Sequence, residues 1–369
     1  GRTTPAEGLR IFSFTDDTVV YPHTHYKMNL GATIKVNKFG VGIIFTAVVM
    51  VVVIYRYGSS TNLERSASSM VSLRDLLSAA IDSAQRGGKI VYAIREAVSL
   101  HEKSKGKTKE GANDPVTDGD IQSHLTMYYS LKKAFPSLEI ISEEHSVSVD
   151  TSKIPPASTH NLEVISVITD DIVVPAQDIQ VWIDPLDATQ EYTENLREYV
   201  TTMVCVAVKG HATIGVIHKP FSKFTAWGWA GKGVSPQLQA SVSQGGPKDE
   251  IAHIIVSRSH AGEVESVAKA AFGDKTQVIH AGGAGYKTLA VIQGDADAYV
   301  HVTLIKKWDL CAGNAVLNAL HGNMTTLSGQ SIDYSCADEK KNGGGVLATL
   351  HGHKYYLPKL QGLKKNISN

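Results

Sequence analysis

Apolar and polar positions alternate in distinct ways along this chain. From Val71 to about Val98 the apolar residues recur at helical spacing, through Leu73, Leu76, Leu77, Ala80 and Ile81. Gly87-Gly88 interrupts that run, and the spacing predicts a second helix through Ile94 and Val98. The charged, Gly-containing stretch 101–114 (HEKSKGKTKEGAND) predicts a loop or hairpin, and Asp118-Gly-Asp120 precedes a predicted helix to about Phe135. Leu138 to Ser142 reads as a short strand, and 146–178, with Pro155-Pro156 and Pro175, as irregular chain. Val181 to Asp184 reads as a buried strand ending in carboxylates. Val200–Val208 and Thr213–His218 read as paired strands turning at Gly210. Beyond the Gly/Pro/Ser/Gln-rich stretch 231–250, a plausible boundary between two halves, strand and helix alternate. Ile251–Val256 is extended, Gly262–Phe272 and Ala284–Ile292 helical, Ala296–Val302 extended and Asp309–Leu320 helical. That alternation argues for α/β layers.

The N-terminal part follows other rules. Residues 1–35 show no strong period. Phe39 to Tyr55 is an unbroken uncharged run between Lys38 and Arg56. A spanning helix needs about 17–25 apolar residues, so this run sits at the short end. A buried core segment and a cleaved signal peptide are weaker readings, because Tyr55-Arg56-Tyr57 poorly matches a small-residue cleavage site. Lys27, Lys35 and Lys38 precede the run and Arg56 and Arg65 follow it, a slight bias toward a cytoplasmic N-terminus. The expected organisation is a tail over 1–38, an anchor over 39–57, a Ser-rich stem over 58–70, a metal-binding half over 71–250 and a substrate-binding half over 251–369. The first residue is Gly1, which reads as an over-extended start, with Met28 an internal alternative. Asn323-Met-Thr325 and Asn366-Ile-Ser368 are glycosylation sequons.

Composition removes several classes. The 369 residues carry 36 Lys plus Arg and 36 Asp plus Glu, so there is no global basic field to hold a nucleic-acid polymer. Three cysteines exclude a disulfide scaffold and a zinc ribbon of paired Cys-x-x-Cys. No Gly-x-Ser-x-Gly, P-loop or His-Glu-x-x-His is present.

Three acidic segments carry the chemistry: Ile141-Ser-Glu143-Glu144-His145, Trp182-Ile-Asp184-Pro-Leu186-Asp187-Ala-Thr189, and Trp308-Asp309-Leu-Cys311. Each sets carboxylates at a predicted strand end or helix start. Asp184 and Asp187, separated by a proline, can converge on one hard cation, with the Leu186 carbonyl beside them. Glu143 and Asp309 would complete the pocket. Buried together without a cation, these acids would repel one another and their pKa values would rise. Such a cluster suits phosphoryl transfer to water. Singly, each segment has a plainer reading: a turn, a helix cap at Asp309, a solvated pair at Glu143-Glu144. Cys311 reads as a small buried hydrophobe. Trp182 and Trp308 read as core packing.

From about residue 71 to 360 the chain resembles the lithium-sensitive, magnesium-dependent phosphatase superfamily that includes the inositol monophosphatases. The motifs are Asp184-Pro-Leu-Asp187-Ala-Thr189, Trp308-Asp309-Leu-Cys-Ala-Gly313 and the Glu143-Glu144 pair. HEKSKGKTKEGA, IVSRSH, AGGAGYK and IKKWDLCAGNA add a likeness to its Golgi-resident 3′-nucleotidase branch. The resemblance implies an α/β (α+β) fold, a layered αβαβα sandwich preceded by a single transmembrane helix. It implies two or three Mg2+ held by Glu143, Asp184, Asp187, Asp309 and the Leu186 carbonyl, with Glu144 on a weaker third ion, and inhibition by Li+. Thr189, partnered by Asp120, would orient or deprotonate the attacking water. The Asp187, Ala188 and Thr189 backbone, with Asp184 and Asp309, would meet the phosphate.

The resemblance further implies that Ser257, His260, Gly283 and Lys287 face a small-molecule nucleotide bisphosphate, Lys287 at its 5′-phosphate, with Lys307 adding to the phosphate field. The expected place is the Golgi membrane, single-pass, with the catalytic part lumenal. A homodimer is expected on resemblance alone. An inositol phosphatase and a catalytically silent membrane-anchored binding protein are the alternatives.

Overall fold

A computed structural model describes residues 45–53, 69–98, 100–107, 113–145, 150–242, 251–258 and 261–367. The chain divides into two compact units, 1–61 and 62–369. In the first, residues 45–53 form a helix (α1) that exposes Phe45, Val48, Met50 and Val51. The remainder of the 39–57 run lies outside the described residues. Among those described, no helix is long and apolar enough to cross a membrane.

The second unit begins with β1 (Met70–Ser72) and α2 (Leu73–Glu96). The hairpin β2 (Lys103–Lys107) and β3 (Asn113–Val116) follows, then α3 (Asp118–Ala134) and β4 (Glu139–Ser142). Next come α4 (Leu162–Val167), β5 (Val173–Pro175), β6 (Ile179–Asp187) and α5 (Thr189–Thr193). The strands β7 (Thr201–Val208), β8 (His211–Lys219), β9 (Phe224–Trp229) and β10 (Gly233–Val234) lead to α6 (Pro236–Ser241). The later part runs β11 (His253–Ser257), α7 (Ala261–Phe272), β12 (Gln277–Ala281), α8 (Ala284–Gln293) and β13 (Ala298–His301). It ends with β14 (Ile305–Lys306), α9 (Lys307–Ala319), β15 (Asn323–Thr325), β16 (Lys341–Asn342), β17 (Val346–Thr349) and α10 (His353–Ile367).

Two larger sheets and three helical layers result, with β1–β5, β2–β3 and β14–β16 as two-stranded ladders. A six-stranded sheet runs in the order β10-β9-β8-β7-β6-β4, and a five-stranded sheet in the order β12-β11-β13-β17-β15. The two-residue period of a strand distributes side chains between layers. In β7, Val204 and Val206 pack with the residues of α2 and α3, while Met203, Cys205 and Ala207 face α9. A third cluster joins Ile254, Val256, Val300 and Leu347 of the second sheet to Val264 and Ala268 of α7 and to Tyr356 and Leu360 of α10. The architecture is therefore the α/β sandwich expected from the sequence, with α8 and α9 in the central layer.

The predicted break at Gly87-Gly88 is corrected: α2 runs unbroken through both residues. A Cβ at Gly87 would lie 2.4 Å from the Met127 sulfur, and one at Gly88 2.4 Å from the His218 ring. The glycines mark close packing against α3 and β8, which outweighs their low helix propensity of about 1 kcal/mol each. The 101–114 stretch is a hairpin. The strands β12, β15 and β17 escaped the sequence reading, since each is short and lacks a clear alternation.

Candidate active site

The acidic segments meet where β6 ends. Strand β6 is buried along its whole length and breaks its pairing with β7 between Asp184 and Asp187. The bulge lies at Pro185 and Leu186, while Asp184 and Asp187 stay in register with Met203 and Thr201. Ala188 follows with φ 71° and ψ 46°, a left-handed conformation, and caps the five-residue α5. Glu143 and Glu144 follow the parallel neighbour β4, and the Glu143 amide donates to the Ile183 carbonyl at 3.1 Å. Asp309 arrives in the first turn of α9.

Each carboxylate is held by protein donors. Asp187 accepts three hydrogen bonds: from the amides of Ala284 (3.0 Å) and Gly285 (2.8 Å) in the first turn of α8, and from the Thr201 hydroxyl (3.0 Å). Asp184 accepts from the Leu186 amide at 3.2 Å and Asp309 from the Lys306 amide at 3.2 Å. Lys105, from the β2–β3 hairpin, bonds Glu143 at 2.9 Å and also Glu144. No local motif signals the α8 cradle or Lys105, because both reach the acids from distant segments.

The charges are costly where they stand. Burial, then the neighbouring Glu143, Asp187 and Asp309, holds the Asp184 carboxyl well above the ordinary carboxylate range. Burial, Glu143 and Asp187 do the same to Asp309. Burial also pushes Glu143 up to about 7, although Lys105 pulls against it. For Lys105, burial acts to lower the pKa, but Glu143 and Glu144 outweigh it and raise it above the ordinary lysine value. Among the described residues no three His, Cys, Asp or Glu side chains already surround one point as metal ligands. The donor set nevertheless fits a hard divalent cation: four mutually repelling, oxygen-only acids, with an ammonium on two glutamates at the same centre. Glu143, Asp184, Asp187, Asp309 and the Leu186 carbonyl are the groups that would hold it, with Glu144 beside them.

Thr189 and Asp120, expected to act on the attacking water, are also brought together. The Thr189 hydroxyl donates to Asp120 at 2.8 Å and lies 3.2 Å from the Leu186 carbonyl. Asp120 is fully buried, and its other oxygen accepts from the amide and hydroxyl of Thr117, both at 2.7 Å. Burial pushes Asp120 up to about 6, against the downward pull of those hydrogen bonds.

A cavity of about 430 Å³ opens beside the acids. Asp187, Asp309, Ser257, Gly283 and Lys287 line it, with Lys107, Lys306 and Lys341. Lys287 is buried; its ammonium donates to the Gly283 carbonyl at 2.6 Å and lies 5.1 Å from the Tyr299 ring centre. Burial lowers its pKa, which Asp187 partly offsets. Lys307 is buried too, but its ammonium points to Glu339 at 3.8 Å. His260 lies outside the described residues. Cys311 is buried as expected, yet it is not a free thiol: it is disulfide-bonded to Cys205 of β7, with their Cα atoms 5.6 Å apart. The bridge was missed because 106 residues separate the pair in sequence.

The sequence profile of the Inositol monophosphatase family matches residues 72–360, which hold every acid described above. The chain belongs to that family. It is 50% identical over 303 residues to the Golgi-resident adenosine 3′,5′-bisphosphate 3′-phosphatase of Rattus norvegicus, covering 80% of this chain and 83% of the relative. It is equally 50% identical over 302 residues to Inositol monophosphatase 3 of Danio rerio, covering 79% and 85%. Among solved structures, the extragenic suppressor protein suhB of Bartonella henselae superposes with a TM-score of 0.58 at 17% identity, over 79% of this chain and 98% of that one. An IMPase/NADP phosphatase complexed with Mg2+ and phosphate superposes at 0.52 and 19% identity, over 73% and 90%. Membership of the inositol monophosphatase family, with such relatives, makes the chain a phosphatase.

Proposed function

We propose that this inositol monophosphatase family member hydrolyses the 3′-phosphate of adenosine 3′,5′-bisphosphate to AMP and phosphate, with magnesium. The observation that carries hydrolysis is the Thr189–Asp120 hydrogen bond beside the buried acids. The nucleotide rests on the likeness to the rat 3′-phosphatase.

Bound magnesium would lower the pKa of a bound water and neutralise phosphate charge. The chain's own residues do the rest. A water oxygen attacks phosphorus as the bond from phosphorus to the 3′ oxygen breaks. The water proton passes to the Thr189 oxygen, whose own proton moves to Asp120. The departing 3′ oxygen takes a proton from solvent. Threonine is too weak a base alone, and an acceptor with a pKa of about 6 suits proton uptake near neutral pH. Ser257, His260, Gly283 and Lys287 would receive the nucleotide, and Li+ would inhibit by taking a magnesium position.

The 39–57 run is read as a membrane anchor, with residues from 58 onward in the Golgi lumen. A buried Cys205–Cys311 bridge accords with an oxidising compartment, as does the exposed sequon residue Asn323. There the enzyme would clear the by-product of sulfotransferases and support glycosaminoglycan sulfation. The zebrafish relative's name favours a second reading, an inositol phosphatase with the same metal chemistry.

The test is magnesium-dependent phosphate release by the full chain and by Asp187→Asn and Asp309→Asn. Each substitution keeps the shape of the side chain. A loss of about a thousandfold or more in kcat, in folded protein, is expected. Turnover within tenfold of wild type would remove these acids from the mechanism.

A further inference from the structure

Helix α5 is too short to hold its own place. It has five residues, and isolated helices of that length do not persist in water. Yet it opens with Thr189, whose hydroxyl has to stay within reach of Asp120. Its position is set by side chains that anchor it to neighbouring elements. Tyr192 supplies one anchor: its buried hydroxyl donates to the Val91 carbonyl of α2 at 2.8 Å.

Arg258 supplies another. It follows Ser257 at the end of β11, in the five-stranded sheet, whereas α5 follows β6 of the six-stranded sheet. One guanidinium nitrogen donates to Glu191 at 3.1 Å and to Glu194 at 3.0 Å. The Glu194 side chain is 39% exposed, and an ion pair there contributes little. The Glu191 side chain is 8% exposed, and removing one partner of a buried pair leaves the other charge uncompensated. The Glu191 carboxyl is also wedged against Gly282, where a Cβ would lie 2.3 Å from its carboxyl carbon. Gly282 leads through Gly283 to the α8 amides that hold Asp187. Arg258, Glu191 and Gly282 join three pieces of the site: the end of β11, α5 and the turn into α8.

We propose that the Arg258–Glu191 ion pair positions Thr189 for the attacking water, by fixing α5 against β11 and Gly282. The inference rests on the hydrolytic role given to Thr189 above, and it holds for a nucleotide or an inositol phosphate alike. Arg258 and Glu191 are positioning residues: they act through α5 and not on the reacting atoms.

The test measures kcat, KM and melting temperature with magnesium for the full chain, Arg258→Gln, Glu191→Gln, the double variant, Arg258→Lys and Gly282→Ala. The substrate is whichever of adenosine 3′,5′-bisphosphate and inositol 1-phosphate the wild type hydrolyses faster. Arg258→Gln and Glu191→Gln are each expected to lose about tenfold in kcat, with KM within about twofold of wild type. The double variant should lose no more than either alone, because both remove the same contact. Arg258→Lys keeps a cation between the two glutamates and should stay within about threefold of wild type. Gly282 is not among the glycines of positive φ, so an alanine there displaces the Glu191 carboxyl without straining the backbone. It should reproduce the kcat loss. Losses confined to KM, losses that multiply in the double variant, or lower melting temperatures with kcat unchanged overturn the positioning role. Wild-type protein that hydrolyses neither ester overturns the role of Thr189 and this inference with it.

Discussion

Gly283→Ala probes how rigidly the site is built. Gly283 has φ 65° and ψ 134°, a region essentially confined to glycine. Placing an alanine there costs about 1–3 kcal/mol in backbone strain. The added Cβ would also lie 2.7 Å from the Tyr199 carbonyl oxygen and 2.9 Å from an Asp187 carboxylate oxygen. Backbone cannot yield as a flexible side-chain end can, and overpacking of this kind costs about 1–3 kcal/mol more. The sum is about 2–6 kcal/mol, set against a typical total stability of about 5–15 kcal/mol. The damage reaches chemistry because Asp187 is held by the two amides that follow this glycine. Urea unfolding and magnesium titration read both effects. Gly231→Ala is the reference, since Gly231 also has positive φ (76°) but nothing within 4 Å of its Cβ. It should lose stability without losing magnesium affinity, while Gly283→Ala should lose both. If Gly283→Ala unfolds within 1 kcal/mol of wild type and binds magnesium as well, the rigid cradle is refuted.

Other outcomes follow from the same geometry. Glu143 and Asp120 have folded-state pKa values of about 7 and about 6, above their ordinary values of 4.5 and 3.8. A raised acid favours the folded state below its unfolded pKa and loses that advantage as pH rises through the folded value. Metal-free protein should therefore lose thermal stability between about pH 4 and 7, and magnesium should restore it at pH 7; a melting temperature that rises across that window without metal would contradict the burial of these acids. Activity should fall on acidification through about pH 6, as Asp120 takes a proton and stops accepting from Thr189. A rate flat from pH 7 to 5 would exclude Asp120 as the acceptor. The Cys205–Cys311 bridge closes a loop of about a hundred residues and should stabilise by about 2–5 kcal/mol; calorimetry of Cys205→Ser with and without reductant checks it, and equal stability of all forms would count against a bridge in the native protein.

Sequence carried the acids further than their surroundings. Asp184-Pro-Leu-Asp187, Glu143-Glu144 and Asp309 are local motifs, each beside a strand or helix that periodicity could predict. Their ligand-like grouping follows from sheet order, with β4 parallel to β6 and α9 packed on the opposite face. What stayed hidden is non-local. Two of Asp187's three partners lie nearly a hundred positions away, in the first turn of α8. Cys311 read as a lone small hydrophobe because its partner stands on β7. The glycines of α2 read as a break because composition does not disclose Met127 and His218 packed against them. Lys307, expected from the resemblance to add to the phosphate field, sends its ammonium to Glu339 instead. Lys306, at the end of β14 just before α9 begins, lines the cavity.

The central claim is tested most directly by one comparison of substrates. With magnesium, the full chain is offered adenosine 3′,5′-bisphosphate, inositol 1-phosphate and inositol 1,4-bisphosphate, with and without lithium, and phosphate release is followed. The account predicts a kcat/KM at least about tenfold higher for the nucleotide, a difference of about 1.4 kcal/mol in transition-state binding, with inhibition by lithium. A preference for either inositol phosphate would keep the metal chemistry of Asp184, Asp187 and Asp309 and contradict the nucleotide assignment.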